Sequence, residues 1–352
     1  MSDKRLYVDF HVIQTVPPSC VNRDDTGRPK TAVYGGANRA RVSSQSWKHA
    51  MRIMFKTLFS ENNGFRTLRA ADIVAEKIKA LDVSISDEDA AKKAAAAIKN
   101  AGISINEKKG NKTGALFFIS AVQAEKLAEL AVNGESDKAL YKQALKDSPS
   151  VDIALFGRMV ADSADLNVDA CSQVAHSIST HAVQNEYDYF TAVDDYQNED
   201  EAGAGHLGTM EFNSSTLYRY ATINAANLRA TIGDDTPEAI KGFAEAFIRS
   251  MPTGKQNSYA NRTFPDLVYV TIRNDQPVNL AGAFEKPIAG SDGYSAKSID
   301  ALFGYAAKIY DNYSGTPEKS FVLGAESVDG AEKVNLNELL EKLSAYFKNE
   351  VV

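Results

Sequence analysis

Two glycines and two arginines stand directly before a segment that starts like a helix. Gly35 and Gly36 would let backbone amides approach an anion closely, and Arg39 and Arg41 alternate along the chain beside them. The free N–H groups at the start of the following helix add partial positive charge. Together these features predict a phosphate site. For the loop alone, a solvated hairpin with a Gly-Gly turn beside a salt-bridged helix face stays an open alternative.

The segment after Val42 has the spacing of an amphipathic helix. Ser43 or Ser44 can cap its start. Its apolar residues follow three and four positions apart, at Trp47, Ala50, Met51, Met54, Phe55 and Leu58. The opposite face carries Gln45, Lys48, Arg52 and Lys56. We therefore expect one side of the helix to pack on the core and the other side to be basic.

The charge of the chain is unevenly distributed. The formal net charge is -7, which argues against a general nucleic-acid binder. Between Arg23 and Lys56, however, eight basic residues face only Asp24 and Asp25, so this segment carries +6 and the remainder -13. A local basic surface is thus compatible with the acidic total.

The sequence does not favour a metal site or a nucleotide cofactor. Cys171, His176 and His181 are candidate ligands, but the two histidines are five positions apart and do not share a helix face, so structural roles are favoured. No Walker or Rossmann spacing is present. We predict neither a metal ion nor another cofactor.

Two acidic doublets and one methionine leave alternatives open. Asp24-Asp25 and Asp194-Asp195 could bind Mg²⁺ for phosphodiester cleavage, although Asp-Asp beside Gly27 is also ordinary turn chemistry, which we favour. Met159, after Gly157 and Arg158, could wedge against a base, whereas a methionine more often fills a gap in a core.

The elements that must position these residues begin with a strand at residues 5–15. Leu6, Val8, Phe10 and Val12 alternate with Tyr7, Asp9 and His11, which predicts one buried face. Residues 60–183 are rich in alanine and read as a helical insertion; within it Ser86 and Asp89 start a helix that Gly102 ends.

Later segments complete a recognisable order of elements. Strands are predicted at 185–195 and 212–224, joined by a long polar arm, and are followed by a helix at 237–250 and a strand at 266–273. Without the insertion, the order is β, α, β, β, α, β, which is typical of a ferredoxin-like or RNA-recognition-motif domain. Further helices are predicted near 293–312 and 335–348.

Cysteine usage and the N-terminal segment bear on location. Cys20 and Cys171 lie far apart, which fits a reducing compartment better than a disulfide framework. Asp9 and His11 interrupt the first apolar run, so it is neither a secretory segment nor a membrane span. We expect a cytoplasmic protein without a membrane partner.

Several motifs occur in the order found in one family. The segment "PPSCVNRDDTGRPKTAVYGGANRARVSSQSWKHAMR" is followed by "VDIALFGRM", "THAVQNEYDYFTAVDD", "HLGTMEF", "YRYATIN" and "GKQNSYA". This series closely resembles the backbone subunit of the type I-E CRISPR Cascade complex, the CasC family. The resemblance covers most of the chain up to about residue 290. Trp47 and His49 depart from it, since an aliphatic and a second basic residue are usual there.

The resemblance implies an α+β fold of three parts. They are a modified RNA-recognition-motif palm at residues 1–59 and 184–352, helical fingers at 60–183, and a β-hairpin thumb at about 195–212. It also implies a subunit that stacks head to tail along CRISPR RNA, flips out nucleotides with its thumb and presents the guide to target DNA. Its implied partners are copies of itself and the large, small, guide-processing and 5'-end-capping subunits.

The resemblance also implies a set of RNA-binding residues. Those expected to hold the sugar-phosphate backbone are Arg23, Arg39, Arg41, Ser43, Gln45, Lys48 and Arg52. Met159 corresponds to a methionine that wedges beside the displaced base, Thr209 to a thumb position, and Lys255 and Gln256 to a loop lining the same groove. No catalysis is implied. The alternative is a metal-dependent ribonuclease that cuts target RNA with Asp24 or Asp25.

Overall fold

The computed structural model describes residues 5–60, 62–192, 206–325 and 328–349. Within them the protein is α+β, with ten strands in one sheet and two separate pairs of short strands. The strands are Tyr7–Ser19 (β1), Thr31–Tyr34 (β2), Ala37–Val42 (β3), Gly64–Thr67 (β4), Ile105–Asn106 (β5), Lys112–Thr113 (β6), Phe117–Ser120 (β7), Ser172–Val174 (β8), Ser177–Ser179 (β9), Glu186–Ala192 (β10), His206–Asn224 (β11), Leu267–Arg273 (β12), Lys319–Leu323 (β13) and Glu332–Lys333 (β14). The helices are Ser44–Leu58 (α1), Ala70–Leu81 (α2), Asp87–Asn100 (α3), Ala121–Val132 (α4), Lys138–Lys146 (α5), Val151–Phe156 (α6), Ala225–Ile232 (α7), Thr236–Arg249 (α8), Gln256–Tyr259 (α9), Ser295–Ile309 (α10) and Leu336–Asn349 (α11).

β1 lies at the centre of the large sheet. It pairs antiparallel with β11, where Tyr7 faces Asn224, and with β12, where Tyr7 faces Arg273. β8 and β9 pair with β11 on its other side. In the chain, α1 lies between β1 and β8, and α8 lies between β11 and β12. Across the sheet the order is β12, β1, β11 and then β8 with β9. Numbered by their order along the chain, these four antiparallel elements are the fourth, first, third and second.

Both faces of β1 are buried. Val8 and Phe10 belong to the main core, which also contains the apolar faces of α1 and α8. Asp9 and His11 point to the other face, yet they have no exposed surface either. The predicted strand is confirmed, but the prediction of a single buried face is wrong. Residues 278–310 cover the second face, and this segment begins 269 positions beyond Asp9.

The strand predicted at 185–195, β10, belongs to the large sheet only through the first part of β11 and lies off the main row of strands. In the described part of the chain, β10 pairs with β11 alone, from Glu186 opposite Phe212 to Ala192 opposite His206, and every β10 residue is exposed. The neighbour of β11 in the sheet is instead β8 with β9, inside the segment predicted to be helical. Those strands carry few large apolar residues, and their buried serine hydroxyls donate to carbonyl oxygens instead.

The block between α1 and β8 is mainly helical, as predicted. Its helices α2 to α5 and strand β7 surround a second apolar core that is rich in alanine. α3 begins as expected: the Ser86 hydroxyl accepts the Asp89 backbone N–H at 3.1 Å. Gly102 follows its end at a φ of +91°. The domain boundaries inferred from the resemblance stay a prediction.

The remaining predicted elements are confirmed. The helix expected at 237–250 is α8, with Pro237 in its first turn, and the strand expected at 266–273 is β12. The two later helices are α10 and α11. Among the helices in the described ranges, none has both the length and the apolar character needed to cross a membrane.

Candidate nucleic-acid interface

Helix α1 is fixed at its start and along its apolar side. Its N-cap is Ser43, whose hydroxyl accepts the Ser46 N–H at 3.4 Å and whose own N–H donates to the Asn22 side chain at 2.9 Å. Trp47 is buried and donates its indole N–H to the Ser177 hydroxyl at 2.9 Å. The amphipathic prediction for this helix is confirmed. Its polar side is therefore held in one orientation.

A groove lies between the polar side of α1 and the helical block. We call it the groove; its volume is about 820 Å³. Four of the predicted site residues line it, namely Gln45, Lys48, Arg52 and Met159. Met159 lies more than a hundred positions after α1, so folding brings the two predicted features together.

The two cations of α1 in the groove differ in their surroundings. Arg52 Nε lies 3.5 Å from the Asp152 carboxylate, and its guanidinium lies 4.5 Å from the centre of the Phe118 ring. Lys48 Nζ lies 5.6 Å from the centre of the Phe156 ring, and partial burial lowers the pKa of its ammonium. Both charges thus lie beside aromatic rings at the groove wall, where an anion would face little competition from water.

Asp152 is a support for Arg52 that the sequence did not reveal. Its carboxylate is 1% exposed and accepts the Gly64 N–H at 2.9 Å and the Ser150 hydroxyl at 2.7 Å. The same carboxylate therefore connects α1, α6 and β4. Asp152 lies in the first turn of the short apolar helix α6, where an acidic residue is ordinary. No local sequence pattern therefore identifies it as the partner of Arg52.

Met159 projects from a rigid loop. Its side chain is 84% exposed, so the alternative that it fills a core gap is wrong. Arg158 is buried and donates to the backbone oxygens of Phe118, Leu145 and Leu166, while burial lowers its pKa to about 10. Gly157 has a φ of +79°, and a Cβ there would lie 2.9 Å from a backbone oxygen. This support suits a side chain that must hold its position against a base.

Arg66 is a groove residue that the sequence prediction missed. It lies on β4, is exposed, and lines the groove. Within the described ranges Arg66 forms no salt bridge. Only the pairing of β4 with β7 places it there, and no sequence motif indicates it.

Arg41 lies at the start of α1, outside the groove. Its guanidinium donates to the Thr31 carbonyl at 3.3 Å and lies 3.3 Å from His176 Nδ1. The Ser44 N–H lies 3.4 Å from the same nitrogen. Partial burial, Arg41 and Lys30 lower the pKa of His176, which therefore stays a neutral acceptor. Ser43 is buried as the helix cap, so its hydroxyl serves α1.

Arg39 does not present its charge to the surface. The side chain has no exposed area, and its guanidinium donates to the backbone oxygens of Ser179 at 2.8 Å, Phe284 at 2.9 Å and Glu285 at 3.2 Å. In this structure it cannot contact a phosphate, contrary to the expectation. The reason is tertiary, because residues 284–285 fold over β3.

The paired glycines form the turn of a hairpin. Gly35 and Gly36 have φ values of +57° and +75° and join β2 to β3. The loop expected before α1 is therefore a hairpin of two paired strands. It contains the Gly-Gly turn of the alternative prediction. A Cβ on Gly35 would lie 1.6 Å from the Glu285 oxygen, so this glycine also permits a close approach of two backbones.

A second group of predicted residues lies at the base of the β10–β11 hairpin. Lys255 Nζ contacts the Met210 sulfur, next to the exposed Thr209, and Gln256 begins α9. Burial raises the pKa of the Cys20 thiol, and the nearby charges of Arg23 and Lys255 oppose this increase. Arg23, Thr209, Lys255 and Gln256 thus belong to a region separate from the groove. Residues 195–205, the larger part of the thumb predicted at about 195–212, lie outside the described residues.

Arg23 also lines a second cavity beside α1, which we call the loop cleft. Its volume is about 920 Å³, and it lies between α1, the loop at residues 21–27 and residues 249–262. Arg249 and Arg262 line it, together with Asp24, Asp25 and Glu245. Its wall along α1 is mixed: Ser46, His49 and Thr57 line it together with apolar residues such as Ile53, which is 52% exposed.

The acidic doublet at the loop cleft forms a turn. Asp24 accepts the Thr26 hydroxyl and the N–H groups of Thr26 and Arg28 at 2.8–2.9 Å, and these hydrogen bonds lower the pKa of Asp24. Asp25 is exposed. Over the described residues no group of three or more histidine, cysteine or acidic side chains could hold a metal ion. Asp194 and Asp195 lie outside the described residues.

Comparisons with known proteins agree on one family. The family of CT1975-like proteins matches residues 8–346. A solved chain described as "CRISPR RNA-guided surveillance complex, pre-nicking" is 32% identical, with a TM-score of 0.81, over 97% of this chain and 100% of that one. A second, described as "CRISPR RNA-guided surveillance complex", is 30% identical, with a TM-score of 0.64, over 97% and 99%. A search of curated protein sequences found no match. By sequence and by fold, this chain belongs to the CT1975-like protein family.

Proposed function

We propose that this protein is a CRISPR RNA-binding backbone subunit of a type I-E Cascade surveillance complex. The observation that carries the proposal is the groove, which Lys48 and Arg52 of α1 line together with Arg66 and the exposed Met159. The similarity to chains from RNA-guided surveillance complexes supports the same role.

The groove suits a strand of arbitrary sequence. A subunit that carries many different guides must bind phosphate and sugar rather than base edges. Arg, Lys and Gln side chains supply such contacts, and α1 presents all three types along one side. We infer that Met159 marks where a displaced base is held apart from its neighbours.

We further propose a modified RNA-recognition-motif palm with helical fingers and a hairpin thumb. The strand order across the large sheet and the two helices packed on one face support the palm assignment. The exposed β10–β11 hairpin supports the thumb. Shortening residues 197–206 should disturb the periodic protection of guide nucleotides from nuclease; an unchanged footprint would refute this assignment.

The proposed assembly is an open helical filament in the cytoplasm. Copies of the chain stack head to tail on the guide, since contacts between unlike surfaces generate a helix when the rotation does not close. The other proposed partners are target DNA and the large, small, guide-processing and 5'-end-capping subunits.

We propose that the subunit is not catalytic. The alternative, a metal-dependent ribonuclease, would require Asp24 or Asp25 to bind a metal ion, whereas Asp24 already accepts three hydrogen bonds within its own turn. Incubating the assembled complex with complementary RNA and Mg²⁺ should leave that RNA intact. Regularly spaced cleavage that disappears in an Asp25→Ala variant would establish the alternative instead.

The decisive experiment for binding is to purify the chain after co-expression with a guide and its partner subunits. We expect guide RNA in the complex and a number of copies that increases with guide length. Two guides of unrelated sequence should bind with similar affinity. A complex free of RNA, or an affinity set mainly by guide sequence, would overturn the proposal.

A further inference from the structure

Residues 278–298 form a strap across the face of the sheet opposite α1, and polar side chains hold its backbone. The Asp9 carboxylate accepts the Val278 N–H at 2.8 Å, and the Tyr218 hydroxyl accepts the Leu280 N–H at 3.1 Å. Further along, the Ile288 N–H donates to the Thr180 carbonyl at 2.9 Å.

Arg39 is the contact that joins this strap to the strand leading into α1. Its Nη2 donates to Phe284 and Glu285 of the strap, while its Nη1 donates to Ser179 of β9. Arg39 lies on β3, and Arg41 and Val42 of the same strand pair with β9 just before the helix cap. One guanidinium therefore connects the strap, β9 and the strand that sets the start of α1.

We infer that Arg39 is a positioning residue, which latches the strap to β3 and so fixes Arg41 and the start of α1. It supports the guide-binding surface without touching the guide, an inference that rests on the proposed function. The planar guanidinium is essential to this role, because its two terminal nitrogens reach three carbonyl oxygens in different directions. A lysine at the same position would carry the same charge, but it would lack the two terminal nitrogens that donate in different directions.

Gly35 offers an independent way to disturb the same contact. Its α-carbon lies so near the strap that a Cβ would fall 1.6 Å from the Glu285 oxygen. Gly35→Ala should therefore push the strap away while leaving Arg39 intact. A milder variant is Ser298→Ala, which removes the 2.9 Å hydrogen bond between Ser298 and Thr180 at the end of the strap.

The test combines backbone hydrogen exchange of the full chain with the salt dependence of guide binding. Arg39→Gln and Arg39→Lys should both lower protection in residues 278–298 by about tenfold or more, as expected for loss of charge-assisted hydrogen bonds. Both variants should also weaken guide binding, because Arg41 and the start of α1 are no longer held in place, while the slope of log affinity against log salt should fall by less than about 0.7, since Arg39 itself contributes no phosphate contact. Arg41→Gln is the matched control; it should lower that slope by about 0.7 and leave the strap protected.

Each outcome decides the inference. Unchanged protection in both Arg39 variants, with a slope lowered by about 0.7 in Arg39→Gln and restored in Arg39→Lys, would make Arg39 a phosphate contact and overturn it. If Arg39→Gln does not fold, Arg39→Lys and Gly35→Ala must still expose the strap to exchange, and unchanged protection in both would refute the latch. If wild-type protein binds no guide, the proposed function fails, while the exchange data still decide whether Arg39 holds the strap.

Discussion

Two cavities of similar size flank α1, yet they offer a polyanion very different surroundings. The groove is lined by three cations that are not buried, Lys48, Arg52 and Arg66, against one carboxylate, Asp169, a difference of two charges; Arg158 also lines it, but its buried guanidinium is bonded to backbone oxygens. The loop cleft is lined by Arg23, Arg249 and Arg262 against Asp24, Asp25 and Glu245, a net charge of zero. Each cavity thus has three cations that are not buried, so the number of carboxylates distinguishes the two.

Salt bridges within the two cavities do not account for the contrast. Arg249 of the loop cleft bonds to Glu245 at 2.6 Å, and neighbouring Arg28 bonds to Glu211 at 2.8 Å. In the groove, Arg52 shares its charge with Asp152 at 3.5 Å, whereas Lys48 and Arg66 form no salt bridge with any residue in the described ranges. In the loop cleft, Arg23 and Arg262 likewise form no salt bridge within the described residues, so the contrast rests on Asp24, Asp25 and Glu245, which line that cavity with them.

The largest expected effect tests the support behind the groove. Asp152→Ala should lower the free energy of unfolding by about 2–3 kcal/mol, since it leaves the buried Gly64 N–H unpaired and removes the partner of Arg52. Glu245→Ala, which breaks a surface pair at the loop cleft, should cost less than about 0.5 kcal/mol. Urea denaturation of both variants measures the difference, and equal losses would contradict the contrast in burial.

Removing two cations from each cavity tests the contrast in binding. Lys48→Gln with Arg52→Gln should weaken guide binding about 15-fold near 0.15 M salt and lower the salt slope by about 1.4, because two phosphate contacts are lost. Arg249→Gln with Arg262→Gln removes the same charge from the loop cleft and should leave the slope unchanged. Titrations at several salt concentrations measure both variants. Equal loss in the two double variants would break the comparison.

A single substitution at Arg66 tests whether strand β4 also contributes to guide binding. Arg66→Gln should weaken guide binding about fourfold and lower the slope by about 0.7. Arg28→Gln is the matched control, because Arg28 is already paired with Glu211. If the control variant loses as much affinity as Arg66→Gln, pairing does not decide which cations bind.

Lys48 gives the groove a pH dependence in the alkaline range. Burial lowers the pKa of Lys48, so its charge is lost at lower pH than that of an ordinary lysine. As the pH rises toward 10, guide binding by the wild type should weaken by up to about fourfold, equivalent to one phosphate contact. Lys48→Arg should remove this decrease. Identical profiles for the two proteins would show that Lys48 does not contact the strand.

The smallest expected effect concerns Met159. Because its side chain is 84% exposed, Met159→Ala should change the free energy of unfolding by less than about 0.5 kcal/mol and leave the salt slope unaltered. Nuclease footprints on the bound guide should nevertheless lose their sharp periodicity. A footprint like that of the wild type would remove Met159 from the site.

Sequence patterns predicted the features that depend on neighbouring residues. The cap at Ser43 and the apolar stripe of α1 lie within a few turns, so the bounds and polar face of this helix followed from local rules. The groove was predicted only in part. Helical spacing placed Gln45, Lys48 and Arg52 on one face of α1, whereas Met159 was associated with them only through the resemblance to a known family.

Features that depend on distant segments were not predicted. The burial of Arg39 is decided by Phe284 and Glu285, 245 and 246 positions away. Arg66 reaches the groove through a short strand pair, and Asp152 is a support whose partners, apart from Ser150, lie far along the chain. The short strands β8 and β9 were missed because serine hydroxyls rather than large apolar side chains fill their buried positions.

The most direct test of the account is to locate the guide by photocrosslinking. A guide carrying 4-thiouridine at every uridine, assembled with the full complex and irradiated, should crosslink to peptides containing α1 and residues 156–170, the two sides of the groove. Crosslinks confined to residues 21–27 and 249–262, the walls of the loop cleft, would contradict the account.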